Sequence, residues 1–168
     1  NAAVTPQINN NTRNLKDKTP PTFTISNIAN DNSTVTVTFS ESVFNTNGGN
    51  GDLEKNDFVL GITGGTATLT STTPSSISNN NNVYTLGVSL SGTPNGQETL
   101  TVNPASNAIF DTAGNAASTS QSSNTVNLKD QTPPTFSLID VANDNSTVTI
   151  TFSESVFNTN GGNGDLEK

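Results

Sequence analysis

The chain has 168 residues, with 14 Asp and Glu against 6 Lys and Arg, a formal net charge of −8, and no Cys, His, Trp or Met. This excludes disulfides, thiolate or imidazole metal sites, and Ser–His or Cys–His nucleophiles. The acid excess argues against a nucleic-acid partner, and no apolar run approaches the ~18 residues of a membrane span.

The first residues make sense only through an internal repeat. Residues 127–168 repeat residues 14–55 at an offset of 113, with 35 of 42 positions identical. Asn1-Ala2-Ala3 likewise matches residues 115–117. The chain is therefore expected to be a slice through a tandem array. Residues 1–13 read as the last strand of a preceding repeat, 14–126 as one whole repeat, and 127–168 as the first two strands and the B–C loop of the next. A period of 113 is the size of a self-sufficient domain and far above that of solenoid repeats.

Within the repeat, apolar residues alternate with polar ones, the spacing of half-buried strands. In chain order the sets are Phe23 and Ile25; Val35, Val37 and Phe39; Phe58, Leu60 and Ile62; Ala67 and Leu69; Tyr84, Leu86, Val88 and Leu90; Leu100 and Val102; and Val126 and Leu128. Thr occupies many of the alternate positions, where its β-branch favours extended backbone. Turn-forming clusters fall between the sets, at residues 29–32, Gly64-Gly65, 79–82, 94–96 and 111–115, with Gly114 expected at positive φ. About seven strands in ~110 residues predict an all-β, immunoglobulin-like antiparallel two-sheet sandwich. Another sandwich or barrel topology is the alternative.

Four stretches carry a resemblance: residues 19–23 (TPPTF), 35–43 (VTVTFSESV), Asp57-Phe58, and 110–117 (FDTAGNAA). Together they resemble the bacterial immunoglobulin-like repeats of very large surface adhesins. The resemblance spans the whole repeat. It implies an extracellular, cell-surface location in a secreted bacterial protein, a repetitive stalk, and frequent Ca²⁺ binding.

The acids give that implication a chemical footing. With strands running alternately up and down, Asp17, Glu41, Asp52, Glu54, Asp57 and Asp111 converge on one pole. Glu41 continues the inward parity of Val35, Val37 and Phe39. An inward carboxylate is costly unless paired, and the repeat offers no Arg or His. A hard cation such as Ca²⁺, taking 6–8 oxygens, resolves this. Backbone N–H groups capping Glu41, with the other acids solvated, would resolve it too. Asp130, Glu154 and Asp165 stand at the corresponding positions of the next repeat. Asp31, in a loop at the other pole, is a further candidate, sharing an ion with Asp130 and Glu154 or simply closing a solvated turn.

The Pro133-Pro134 pair makes the joint between repeats stiff rather than floppy. The expected function is a spacer repeat in a long surface adhesin or fibre, rigidified by Ca²⁺. Its partners are neighbouring repeats, of the same chain or of other copies. A module binding glycan, ice or a host protein is the alternative. No enzymatic constellation stands out, because the acids lie on a loop-rich pole without an aromatic cleft.

Overall fold

A computed structural model describes residues 13–166, so the strand expected at the extreme N-terminus lies, but for Arg13, outside the described residues. The chain divides into two compact units, the first ending at Asp130 and the second starting at Gln131. The first carries β1 (Phe23–Ile28), β2 (Thr34–Phe39), β3 (Val43–Phe44), a 3-10 turn (Lys55–Asp57), β4 (Phe58–Thr63), β5 (Thr68–Leu69), β6 (Ile77–Asn80), β7 (Val83–Gly87), β8 (Leu90–Ser91), β9 (Thr99–Pro104), β10 (Phe110–Asp111) and β11 (Thr125–Asn127). The second carries β12 (Phe136–Val141) and β13 (Val148–Phe152).

The all-β expectation is met. Two antiparallel sheets, ordered β1-β2-β7-β6 and β11-β9-β4, supply the bulk of the first unit, with two-stranded ribbons β3–β10 and β5–β8 beside them. The period-2 pattern does what it predicts. Val35, Val37 and Phe39 of β2 are buried, as are Leu100 and Val102 of β9, while the alternate Thr residues are half-exposed. Each such side chain contributes roughly 1.5–3 kcal/mol of burial. The two inner faces share one core. Phe39 meets Phe23 and Tyr84 of its own sheet edge-on at centroid distances of 5.3 and 5.5 Å, and Phe58 of the other sheet at 6.3 Å. This arrangement is consistent with a β-sandwich.

Three local expectations change. Residues 79–82 do not form one broad turn: β6 runs through Asn80, and only Asn81 and Asn82 turn the chain, with Asn81 at φ 54°. An Asn-rich strand with one apolar residue, Ile77, carries no alternation to detect. The Tyr84–Leu90 set is not one strand. β7 ends at Gly87, where a Cβ would lie 2.3 Å from Ser75 Oγ, and Leu90 pairs instead with Leu69 in the β5–β8 ribbon. Ala67 and Leu69 therefore stand outside both main sheets.

The second unit reproduces the start of the first. β12 pairs β13 with Phe136 opposite Phe152 and Val141 opposite Val148, and the register slips between Leu138 and Asp140. β1 pairs β2 with Phe23 opposite Phe39 and Ile28 opposite Val35, slipping between Ile25 and Asn27. The turns agree as well: Asn145 sits at φ 57° where Asn32 sits at φ 59°.

Candidate metal centre

Three of the acids singled out from the sequence come together. Carboxylate oxygens of Asp17, Glu41 and Asp111 lie within 4.8 Å of one another, with Asp17 exposed, Glu41 half-buried and Asp111 fully buried. Glu41 follows β2 by two residues. Asp111 closes β10, whose pairing with β3 sets it opposite Val43 and so beside the end of β2. Asp17 lies on the segment that leads into β1. It is fixed there by Thr19, whose N–H donates to Asp17 Oδ1 at 2.9 Å, and by Asn115, whose Nδ2 donates to the Asp17 carbonyl at 3.3 Å.

The 111–115 turn organises this corner. Asp111 N–H donates to the Asn115 carbonyl at 3.1 Å, and Gly114 has the positive φ, 87°, read from the sequence. A Cβ on Gly114 would lie 2.2 Å from Asn47 Oδ1, so glycine lets the 45–51 loop close against the turn. Asn115 donates twice to the Asp111 carboxylate, N–H to Oδ1 at 2.8 Å and Nδ2 to Oδ2 at 2.7 Å. Burial alone would raise the Asp111 carboxyl. These bonds, with backbone N–H groups of Gly114 and Ala113, outweigh it and hold the group below the usual carboxylate range. Asp111 is thus an ionised carboxylate in the protein interior.

Glu41 behaves oppositely. Burial, then the charges of Asp111 and Asp17, push its carboxyl up. Crowding of this kind is what a bound cation relieves. The donor set is oxygen only, which suits a hard cation such as Ca²⁺ or Mg²⁺ and not a thiolate- or imidazole-seeking metal.

The other acids from the sequence stand elsewhere. Asp57 Oδ2 accepts from Glu54 N–H at 2.7 Å and closes the 3-10 turn, so this pair is used locally. Asp52 lines a surface cleft with Asn79, Asn82 and Tyr84, and its charge helps burial raise the Tyr84 hydroxyl. Asp31 Oδ1 accepts from Ser33 N–H at 3.0 Å and Ser33 Oγ at 2.7 Å, an arrangement that closes the turn. Asp130 ends the first unit, next to Gly96. Glu154 and Asp165 are exposed in the second unit. Among the described residues none of these joins a group of three acids.

Two polar residues whose burial no sequence pattern marks prove central, one of them Glu98, which strand order puts at the pole away from Glu41. Glu98 is fully buried, and its carboxylate accepts from the N–H groups of Thr66 at 2.8 Å, Ala67 at 3.0 Å and Asn95 at 3.1 Å. Burial would raise it, but those donors hold it down at about 2. The available signal was the Gly64-Gly65 pair: a Cβ on Gly65 would lie 2.1 Å from the Glu98 carboxyl. Asn32 is also buried. Its Nδ2 donates to the Lys129 carbonyl, and its Oδ1 accepts from Lys129 N–H, both at 2.8 Å.

No protein-family model, curated protein or solved structure matches this chain.

Proposed function

We propose that the chain is a segment of a tandem array of immunoglobulin-like repeats, a structural spacer in a long secreted bacterial surface adhesin or fibre. The observation that carries this reading is the repetition itself: a near-identical 42-residue segment recurs at a domain-sized offset and folds into the same hairpin, with the same register slip. The strand orders β1-β2-β7-β6 and β11-β9-β4 support the immunoglobulin-like reading, since they parallel the A-B-E-D and G-F-C sheets of constant-type domains. Near-identity between copies suits a part whose contribution is length. In this reading Asp17, Glu41 and Asp111 hold Ca²⁺ where the chain enters each repeat, stiffening the joint, and the partners are neighbouring repeats. Tyr84, the single tyrosine, is 5% exposed and offers no stacking platform for a sugar, which favours the spacer over the glycan-binding alternative.

Small-angle X-ray scattering on arrays of two and four repeats tests the reading. The maximum dimension should grow in proportion to repeat number in Ca²⁺, and the joints should loosen in chelator. A compact particle whose dimension does not track repeat number would refute a spacer.

A further inference from the structure

The second unit presents an apolar sheet face that the first unit keeps covered. Phe136 is 66% exposed and Val148 58%, whereas Phe23 and Val35, at the same repeat positions, are 3% and 0%. Leu138 and Ile150 are likewise exposed, opposite each other in the β12–β13 ribbon. The register is the same in both hairpins, and Phe136, Leu138, Val148 and Ile150 are apolar where Phe23, Ile25, Val35 and Val37 are, so the difference lies in the strands packed against them. In the first unit, β4, β7 and β9 close over the hairpin, with Phe58, Leu60, Tyr84, Leu86, Leu100 and Val102 in the shared core.

Resting on the tandem-repeat reading, we infer that the β12–β13 face is a docking site for a polypeptide segment with the pattern of residues 56–130. The occupant is defined by chemistry visible in the first unit. An isolated two-stranded ribbon is marginal in water, and β13 presents an edge unpaired among the described residues. The incoming segment must supply a β7-like strand for that edge. The 113-residue offset transfers the β2–β7 register, setting Val148 opposite the counterpart of Leu86, Thr149 opposite that of Thr85, Ile150 opposite that of Tyr84, and Thr151 opposite that of Val83. Phe152 then takes the place of Phe39 among the aromatic rings. Asn145 supplies a second, polar determinant. It holds the same left-handed backbone as Asn32 but is exposed, while Asn32 is buried and grips both backbone groups of Lys129. A segment ending in the pattern of residues 126–130 brings that backbone to Asn145. The site therefore reads its occupant at two places, an apolar face with a strand edge and an amide clasp for the segment's last residues.

The test appends a copy of residues 56–130 to the full 168-residue chain and monitors amide hydrogen exchange at residues 148–152. Exchange there should slow on the order of 100-fold or more relative to the parent chain. An appended segment carrying Leu60→Asp and Leu86→Asp should give no slowing. Asn145→Ala in the extended chain should weaken the protection while leaving the first unit's exchange unchanged. The inference is overturned if the wild-type extension leaves residues 148–152 exchanging as in the parent. It is overturned equally if the parent forms a dimer by sedimentation that already protects them while exchange across residues 56–130 stays as in the monomer, since two β12–β13 faces would then cover each other. This readout concerns docking alone, so it can fail while scattering still supports a spacer, and the reverse.

Discussion

Glu98 shows how much a single carboxylate can organise. It sits in the interior without a cation among its hydrogen-bond partners, and backbone N–H groups from residues 66, 67 and 95 take up its charge. It thereby ties the Gly64–Ala67 bend to the start of β9. Glu98→Gln keeps the size but turns one acceptor into a donor that faces N–H groups. The expected cost is about 1–3 kcal/mol in urea unfolding. The pH dependence has a definite sign. The folded-state carboxyl titrates at about 2, below its ordinary value of 4.5. Its stabilisation is complete above pH 4.5 and is lost as pH falls from there towards 2. Wild-type stability should fall through that window more steeply than that of Glu98→Gln. Parallel curves would show that the fold does not depress the Glu98 carboxyl.

Among the elements, a long-range contact joins the β1–β2 turn to the segment that follows β11. Asn32 combines two properties that few residues share. It accepts left-handed backbone at modest cost, and its amide mimics a peptide group, pairing with Lys129 in both directions. Asn32→Ala forfeits both and leaves the part-buried Lys129 N–H and carbonyl without those partners, for an expected loss of about 2 kcal/mol. Asn32→Gly restores the backbone freedom and should be the milder change. Equal losses in the two variants would mean that the hydrogen bonds, and not the turn conformation, carry the whole effect. The β3–β10 ribbon does comparable work at the other end of the sheet, since its two-residue pairing is what sets Asp111 beside Glu41.

For the whole molecule, the acidic corner predicts a stability that depends on calcium. On the spacer reading proposed above, the site takes the Kd of roughly 10⁻⁴–10⁻³ M usual for extracellular Ca²⁺ modules. At ~10 mM Ca²⁺ a single site then adds about 1–3 kcal/mol, which raises Tm by several degrees. Mg²⁺ should add less, because it demands a tighter octahedron and sheds water reluctantly. Glu41→Gln should abolish most of the response, and Glu98→Gln should retain it. A melting curve identical in chelator and in Ca²⁺ would dispose of the metal site. The binding of cation and of proton also compete at Glu41, whose carboxyl is already pushed up by burial and by Asp111 and Asp17.

Much of this was legible in the sequence because it is local or periodic. Alternation in residues 34–39 and 99–104 fixes which side chains face the core whatever strand lies beside them. Gly114 announces its turn, and the 113-residue offset announces that the β1–β2 hairpin recurs as β12–β13. The inward parity of Glu41 marked it as a carboxylate in need of a partner, and the up-and-down run of strands brought Asp17 and Asp111 to it. What only the tertiary structure decided are the contacts between distant segments made by groups without a pattern. Asn32 and Lys129 are 97 residues apart, and Glu98 meets Thr66 and Ala67 across 32 and 31. The same holds for the sorting of the acids, where Asp57 and Asp31 are taken up by their own neighbours while Asp17, Glu41 and Asp111 are left facing one another. A polar residue declares itself only through its partners, and chain topology, not composition, determines which backbone groups arrive to meet it.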